Sequence, residues 1–449
     1  MEKKILIIDE KPPIAINKVL TRKDLYTVYL ELNKIGEESK LFGEASTLRQ
    51  YIDQINLAIA SLDCFKRLKP IEDSYHLPTA LRDYYSILYE GDDIESIALI
   101  ASIIRNGGIV KHEANTSTWQ EGKIFTIERN DYGKEIKTVI FDATAIYDLE
   151  YSGSSYRILD IPPIRRYENF YINNCPEMNL SRACMNNPAK ELNFDVLLCD
   201  LNIKNKKAFL LTYKNQKNAI SKIIEDRYGN SSNICMGHYN NVRGKNDFVE
   251  SDLMLAYGMN YLGDEFYLAK AMALEISLKN MEFTREHKAR ISKDDDLNRI
   301  MCSDMFCDLV QSILRTKLRR NTKDVVQFYS FIPYCEIIAM LKDYFVDCNI
   351  MDWYPDSFYK QYHDNGSRTK KPTNVKFANL LERRFSNLNS QGAMSISKME
   401  VKDALGYTCQ NTFANHLNSE YVKCKLQQLG VTVGHHNLIK INNEEMTEQ

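Results

Sequence analysis

The chain of 449 residues lacks any apolar run long enough to cross a membrane. A spanning helix needs about 20 consecutive apolar residues, and no stretch approaches that length. Only four apolar residues follow Lys3-Lys4 before two acidic residues, a pattern unlike a signal peptide. We therefore expect neither a membrane partner nor a secretion signal.

The chain also lacks a surplus of charge of either sign, because 58 Lys and Arg stand against 60 Asp and Glu. Attraction to polyanions must then come from local clusters. The 11 cysteines lack zinc-type pairing: Cys302 and Cys307 are the closest pair, and no second pair or His partner follows at finger-like spacing. We expect reduced thiols, hence a cytoplasmic protein.

Helical and strand patterns alternate along the chain. Residues 47–68 and 92–108 carry apolar residues at three- and four-residue spacing, which predicts helices. Residues 123–145 contain two strand-like runs around "NDYG", which predicts a hairpin. From about residue 190, strands alternate with helices. This order predicts a mostly parallel sheet that binds ligands at the carboxyl ends of its strands.

The segment after residue 386 predicts a separate domain. Ser397 and Glu400 form a capping box that starts a short helix, and a longer helix over 409–430 and a strand–turn–strand follow. This order is typical of a winged helix-turn-helix, which binds nucleic acid or docks proteins. The recognition-helix residues able to reach bases or phosphates are Gln410, Asn411 and Asn415.

Two apolar runs end in acidic or hydroxyl residues. The opening run "ILII" leads into Asp9-Glu10 and then Lys11-Pro12, and "FDATA" places Asp142 and Thr144 at a second strand end. An acidic pair in this position can hold Mg²⁺ through Asp9 and orient a water through Glu10. Acidic residues after a strand are also common on ordinary surfaces, so the pair alone does not decide between these interpretations.

Three later segments carry polar and basic residues at strand ends, in a loop and along a predicted helix over 300–320. They are Tyr213 and Lys214; Arg243, Gly244 and Asn246; and Gln311, Arg315 and Arg319. One-turn spacing predicts that the last three share a helix face, as do arginines that neutralise a transferring phosphoryl group. A surface turn and a solvated basic helix end are the competing interpretations.

In this order the segments resemble the helicase core of superfamily 2, in particular the helicase-like ATPases of phages and mobile elements, whose acidic motif often reads "DEKP". The resemblance spans roughly residues 1–330. It implies an α/β fold of RecA-like parallel sheets with a helical insertion. It also implies that Asp9 holds Mg²⁺, that Glu10 activates water, and that Arg315 or Arg319 stabilises the transferring group. The residues implied for nucleic-acid contact or coupling are Asp142, Thr144, Tyr213, Lys214, Arg243, Gly244, Asn246 and Gln311.

Such ATPases need a phosphate loop ending in Gly-Lys-Ser/Thr, and no such triplet occurs in the sequence. We therefore expect an incomplete first RecA-like lobe, with ATP and Mg²⁺ bound only if a partner completes the site. DNA and a protein that completes or covers this lobe are the expected partners. The alternative is a non-enzymatic helicase remnant that regulates a partner protein or DNA.

These patterns predict four segments. They are a partial first RecA-like lobe with a helical insertion (1–155), a second RecA-like lobe (156–330), a helical, basic connector (331–385) and a winged-helix domain (386–449).

Overall fold

The architecture is taken from a computed structural model. It describes residues 5–60, 65–88, 92–111, 122–130, 132, 136–152, 156–159, 165–176, 178, 180–185, 194–201, 203, 206–229, 233–242, 244–286, 289–320, 323–355, 377–378, 380–382, 384–385, 394–407, 409–418 and 420–440. Two compact units result. The first unit comprises Met1–Ile161, Tyr261–Glu286 and Arg290–Cys307, and the second comprises Pro162–Asn260, His287–Ala289 and Asp308–Gln449. The two units interleave along the chain.

The strands of the described chain are β1 (Ile5–Asp9), β2 (Ala15–Thr21), β3 (Phe65–Leu68), β4 (Gly108–Lys111), β5 (Lys123–Arg129), β6 (Lys137–Phe141), β7 (Phe170–Asn174), β8 (Ala208–Thr212), β9 (Ile234–His238), β10 (Leu253–Ala256), β11 (Phe283–Glu286), β12 (Ala289–Ser292), β13 (Val326–Ser330), β14 (Asn349–Asp352), β15 (Met394–Ser397), β16 (Val431–Val433) and β17 (Asn437–Lys440).

The helices of the described chain are α1 (Arg22–Leu32), α2 (Phe42–Ile59), α3 (Thr79–Leu88), α4 (Asp92–Asn106), α5 (Arg182–Met185), α6 (Phe194–Asp200), α7 (Lys217–Tyr228), α8 (Asp264–Ala273), α9 (Asp295–Ile313), α10 (Cys335–Tyr344), α11 (Lys398–Ala404), α12 (Gln410–Leu417) and α13 (Glu420–Gln428). Within the residues described, no helix combines the length and the apolar character needed to cross a membrane.

A six-stranded sheet forms the centre of the second unit. Its order is β14-β7-β13-β10-β8-β9, and every neighbouring pair is parallel. All residues of β7, β8, β10 and β13 are buried. Parallel strands are covered on both faces, so apolar side chains fill both sides of each strand. The predicted parallel sheet is confirmed.

In the first unit, four helices pack with an antiparallel sheet of order β2-β5-β4-β3. The predicted helix over 92–108 is confirmed as α4, and Gly107 after it adopts φ +74°. The predicted helix over 47–68 ends at Ile59, and β3 follows it. Helix α8 also packs on β4 and β5.

The predicted hairpin around "NDYG" is wrong. Strand β5 pairs with β2 on one side and β4 on the other, so neither edge is open to β6. Strand β6 instead pairs in parallel with β1. The partner of each strand is set by distant segments, which the local turn sequence does not reveal.

The β1–β6 pair is a two-stranded parallel sheet that exposes apolar residues. Ile5 is 60% exposed and Ile7 67%, and in β6 Val139 is 45% and Phe141 61% exposed. The run "ILII" therefore forms the predicted strand, but the described residues do not bury it as its composition predicts.

A three-stranded antiparallel sheet of order β15-β17-β16 packs with helices α11 to α13 near the C-terminus. Its core also takes in Phe377, Ala378, Leu381 and Phe385. Ser397 caps α11 by accepting from the Met399 backbone N–H at 3.2 Å.

The single helix predicted over 409–430 is wrong, because α12 ends at Leu417 and α13 begins at Glu420. Both helices bury residues in one core, Phe413 and Leu417 from α12 and Val422 and Leu426 from α13. The five-residue step from Leu417 to Val422 leaves the 3.6-residue stripe of a straight helix. The chain must turn there for both helices to face the core.

Candidate functional site

The acidic pair and "FDATA" lie next to each other in the first unit, at the carboxyl ends of the parallel strands β1 and β6. Because β1 and β6 are parallel and in register, Asp9 lies opposite Phe141, and the Glu10 backbone N–H donates to the Phe141 carbonyl at 2.9 Å. Asp9 is exposed. Glu10 adopts φ +73°, a left-handed conformation that is strained for a residue with a side chain. The structure thus brings Asp9-Glu10 and Asp142–Thr144 to neighbouring strand ends.

Asp142 is held in a fixed position by its neighbours. One carboxylate oxygen accepts from the Thr144 backbone N–H (2.9 Å) and hydroxyl (2.8 Å), and the other accepts from the Tyr151 hydroxyl (2.8 Å). Thr144 is buried. Both oxygens of Asp142 are therefore occupied, which fits a residue that shapes the turn.

A buried ion cluster lies behind this edge. Lys11 Nζ lies 2.5 Å from Asp148 and 2.8 Å from Glu150, and Lys270 Nζ lies 2.5 Å from both Glu150 and Asp304. Two ammonium groups thus bridge three carboxylates. Lys270 in α8 and Asp304 in α9 are far from Lys11 in sequence, so the cluster ties the segment after β1 to two helices of the first unit.

Burial and pairing act against each other on these pKa values. Burial raises the pKa of Asp148 more than Lys11 lowers it. For Glu150, burial also opposes ionisation, but the combined attraction of Lys270 and Lys11 holds its pKa below the usual value. Burial lowers the pKa of Lys270, yet Asp304 and Glu150 outweigh it and raise that pKa. Buried ion pairs of this kind are costly to break.

The carboxyl edge of the six-stranded sheet carries Tyr213 and Lys214, directly after β8. Tyr213 is buried; its hydroxyl lies 2.8 Å from the Met259 carbonyl and accepts from the Met259 backbone N–H at 3.0 Å. The Arg182 guanidinium lies 5.1 Å from the ring centroid. Tyr213 therefore joins the ends of two strands, while Lys214 is exposed beside it.

Sequence reasoning missed a second group at this edge. The Asn260 amide donates to Asn240 and to Asp308, each at 3.1 Å. The buried Asn260 side-chain oxygen and Thr212 hydroxyl have no hydrogen-bond partner among the described residues. Polar atoms at the carboxyl ends of parallel strands are the usual ligand contacts in such sheets. The isolated asparagines gave no motif by which to find them.

The "RGKND" loop lies near the opposite end of the sheet. Arg243 lies outside the described residues, and Gly244 adopts φ +71°. The Arg319 guanidinium donates to the Asn246 side chain at 3.3 Å, and Arg320 pairs with Glu250 just before β10. The loop and Arg319 therefore meet at the amino edge, away from Tyr213 and Lys214.

The shared helix face predicted for Gln311, Arg315 and Arg319 is wrong. Helix α9 ends at Ile313, so only Gln311 lies on it. Arg315 follows in a turn and is buried, and Arg319 ends a short 3₁₀ helix and is exposed. A hydrogen bond from the Thr316 hydroxyl to the Ile313 carbonyl (2.7 Å) accompanies this end of the helix.

On α12, Gln410, Asn411 and Asn415 are all exposed. Phe413 and Leu417 of the same helix are buried, so the polar residues are free of the core. The expected polar surface is present, although on a shorter helix than predicted.

The residues of the ion cluster were not predicted as a group. Lys11 was visible in "DEKP", and Asp148 and Glu150 stand in the short acidic run "DLE". Nothing in the sequence connects them with Lys270 and Asp304, because only the fold brings these positions together. No group of three or more metal-binding side chains occurs among the residues that the structure describes.

No protein-family model and no curated protein matches the chain. Among solved structures, it is similar to S. tokodaii Xpd4, with 10% sequence identity and a TM-score of 0.40, over 77% of this chain and 75% of that one. A likeness of this size leaves function to be argued from the chain's own residues.

Proposed function

We propose that the protein is a helicase-like nucleic-acid-binding protein of the superfamily-2 type found in phages and mobile elements, and that it acts with a partner that supplies the ATP phosphate loop. One observation carries the proposal. The parallel pairing of β1 and β6 sets Asp9-Glu10 beside Asp142–Thr144 at one sheet edge. Two loosely matched motifs from distant parts of the sequence thus become neighbours, as the resemblance requires.

The exposed β1–β6 pair supports the need for a partner. A parallel pair with apolar residues exposed on both strands is marginal in water, because parallel sheets are stable when both faces and edges are covered. We propose that further strands of a RecA-like lobe, carried by another polypeptide, pair with it. The same partner would bring a phosphate loop to the end of β1.

The residues at this edge fit only part of an ATP–Mg²⁺ site. Asp9 is an exposed carboxylate, and Mg²⁺ takes one or two such ligands together with phosphate oxygens. Asp142 has both oxygens occupied, and the chain has no Gly-Lys-Ser/Thr cradle. In a completed site ATP would supply the phosphoryl group. This chain's part is to present Asp9, to hold Glu10 near the water and to fix both strand ends through Lys11.

Arg319 is the better candidate of the two arginines for a contact with phosphate, because it is exposed and Arg315 is buried. Its contact with Asn246 holds the guanidinium in place. We propose that Arg319 acts on phosphate, either of a nucleotide or of a nucleic-acid backbone.

For the C-terminal region we propose a winged helix that contacts DNA through Gln410, Asn411 and Asn415. The order of α11, α12, α13 and the β16–β17 ribbon supports this, as does the exposure of the three amide side chains. Amide groups can read base edges or bind phosphates.

The test is an ATPase assay of the purified chain, alone, with DNA, and with any co-purifying protein. We expect turnover only when the partner is present, and a loss of at least 100-fold for Glu10→Gln. Glu128→Gln, at another position of the first unit, serves as the matched control. Turnover that is unchanged by Glu10→Gln would exclude the proposed role of this edge.

The second candidate is a non-enzymatic remnant that binds and regulates a partner or DNA. The hydrogen bonds that engage both Asp142 oxygens within the chain and the missing phosphate loop favour it. It predicts DNA or protein binding without turnover in any of these mixtures.

A further inference from the structure

A cavity of about 780 Å³ lies within the first unit, and neither of the motif-bearing edges lines it. Strand β3 contributes Phe65 and Arg67, helix α8 contributes Leu268, and the following chain and hairpin β11–β12 contribute Phe283 and Arg290. Pockets for small ligands span about 300–1,000 Å³. The cavity is therefore large enough for one or two nucleotides.

The edge strand β3 sets the geometry of one wall. Phe65 and Arg67 are two residues apart, so their side chains lie on the same face of the sheet. Arg67 lies opposite Ile109 of β4, which also lines the cavity. The wall therefore presents an aromatic ring and a cation side by side on an apolar floor.

The second aromatic group is held in a fixed position. The Phe283 ring centroid lies 6.4 Å from that of Phe65, and the Arg290 guanidinium lies 5.4 Å from the Phe283 centroid. Asp264 accepts a hydrogen bond from Arg290 Nε at 3.2 Å. This hydrogen bond raises the pKa of Arg290 and outweighs burial, which lowers it. The charge of Arg290 is thus balanced by Asp264, and its guanidinium packs against the Phe283 ring.

Two other cations in the lining remain uncompensated. Arg67 and Lys279 are exposed, and within the described part of the chain neither side chain forms an ion pair. The Lys279 backbone N–H donates to Asp294 at 2.7 Å, which anchors its main chain. Glu282, the acidic residue of the lining, is paired with Lys293. The cavity thus combines fixed aromatic rings with two available positive charges.

We propose that this cavity binds a short segment of single-stranded nucleic acid, with a base stacked on Phe283 or Phe65 and its phosphates on Arg67 and Lys279. Stacking platforms next to cations are the common means of binding single strands without sequence preference. The inference rests on the nucleic-acid-binding part of the proposed function and is independent of ATP hydrolysis.

Binding is measured by fluorescence anisotropy of a labelled 12-nucleotide oligo(dT) at several salt concentrations. The double variant Arg67→Ala/Lys279→Ala removes two exposed, unpaired cations. It should weaken binding and reduce the slope of log K against log salt by about 1.4. Phe283→Leu, which keeps apolar bulk but removes the ring, should weaken binding about fivefold or more. Lys23→Ala/Lys40→Ala, which removes two exposed cations of the same unit away from the cavity, should leave both quantities unchanged.

Photo-crosslinking with 5-iodouracil in the oligonucleotide locates the contact. Crosslinks to peptides that contain Phe65 or Phe283 are expected. If the Phe283 ring is the stacking platform, the crosslinks should disappear in Phe283→Leu. If the Phe65 ring is the platform, the crosslinks at Phe65 should persist in that variant. Heparin, a polyanion without bases, serves as a competitor that binds through charge alone. If oligonucleotide binding depends on Arg67 and Lys279 but not on either aromatic ring, the inference is overturned.

The outcomes separate this inference from the proposed function. Oligonucleotide binding by the wild type with no crosslink in the cavity and no effect of the variants overturns the cavity site alone. Absence of oligonucleotide binding by a wild type that still binds duplex DNA also overturns the cavity site alone, whereas absence of binding to both nucleic acids overturns the proposed function as well.

Discussion

Strands β1 and β8 are both five-residue strands with four apolar residues followed by a polar one, but their environments are opposite. In β8, Phe209 and Leu211 are fully buried, whereas in β1 Ile5 and Ile7 are 60% and 67% exposed. Strand β8 has parallel neighbours on both sides and helices α6 and α7 packed in the same core. Strand β1 has β6 as its neighbour in the described chain. An apolar run therefore indicates that a strand needs to be buried, but the segments that pack beside it determine whether it is buried.

The largest expected effect compares these two strands directly. Phe209→Ala should lower the free energy of unfolding by about 3–5 kcal/mol, because it leaves a cavity in a closely packed sheet. Ile7→Ala should change it by about 0.5 kcal/mol or less, since the side chain is already in water. Urea denaturation of each variant gives both values. A large cost at Ile7 would mean that β1 is covered in solution, and dilution would then test whether a second chain covers it.

The next effect concerns the ion cluster behind β1. Lys270→Ala should cost about 3 kcal/mol, because it leaves the half-buried Asp304 without its ammonium partner and the buried Glu150 with Lys11 alone. Removal of Lys293, which pairs with Glu282 on the surface, should cost less than about 1 kcal/mol. The same denaturation assay measures both. Equal costs would show that the cluster is open to solvent.

A smaller effect compares the nucleic-acid surfaces. The triple change Gln410→Ala, Asn411→Ala and Asn415→Ala should weaken duplex DNA binding about tenfold, because it removes exposed amides without touching the core. Asn418→Ala, at the end of the same helix, is the control. Anisotropy with a labelled duplex measures affinity. If the triple variant binds as the wild type does, the winged-helix assignment loses its support.

The smallest effect compares two exposed thiols. Hydrogen bonds from Thr412 and Asn411 at the start of α12 lower the pKa of Cys409, whereas the Glu336 carboxylate raises the pKa of Cys335. Near neutral pH, Cys409 therefore has the larger thiolate fraction and should react several times faster with iodoacetamide. The difference should shrink as the pH rises above both pKa values. Peptide mass spectrometry after timed alkylation measures each rate, and a faster reaction at Cys335 would contradict the assigned hydrogen bonds.

Local patterns in the sequence determined much of the secondary structure. The parallel sheet of the second unit, which the alternation of strands and helices predicts, is confirmed, and so are helix α4 and the cap at Ser397, which depend on apolar spacing and on contacts between close residues. The errors lie where distant segments compete for one strand or one core. The hairpin partner of β5 and the break between α12 and α13 are of this kind.

The candidate site divides in the same way. The sequence by itself determined that Asp9-Glu10 and Asp142–Thr144 follow strands and that Gln410, Asn411 and Asn415 lie on a helix. Only the tertiary structure decided that the first two groups are neighbours, that Lys11 is tied to Lys270 through Glu150, and that Arg319 lies at the amino edge with Asn246. The physical reason is that strand ends and caps depend on neighbouring residues, whereas strand pairing and buried charge depend on which distant segments meet.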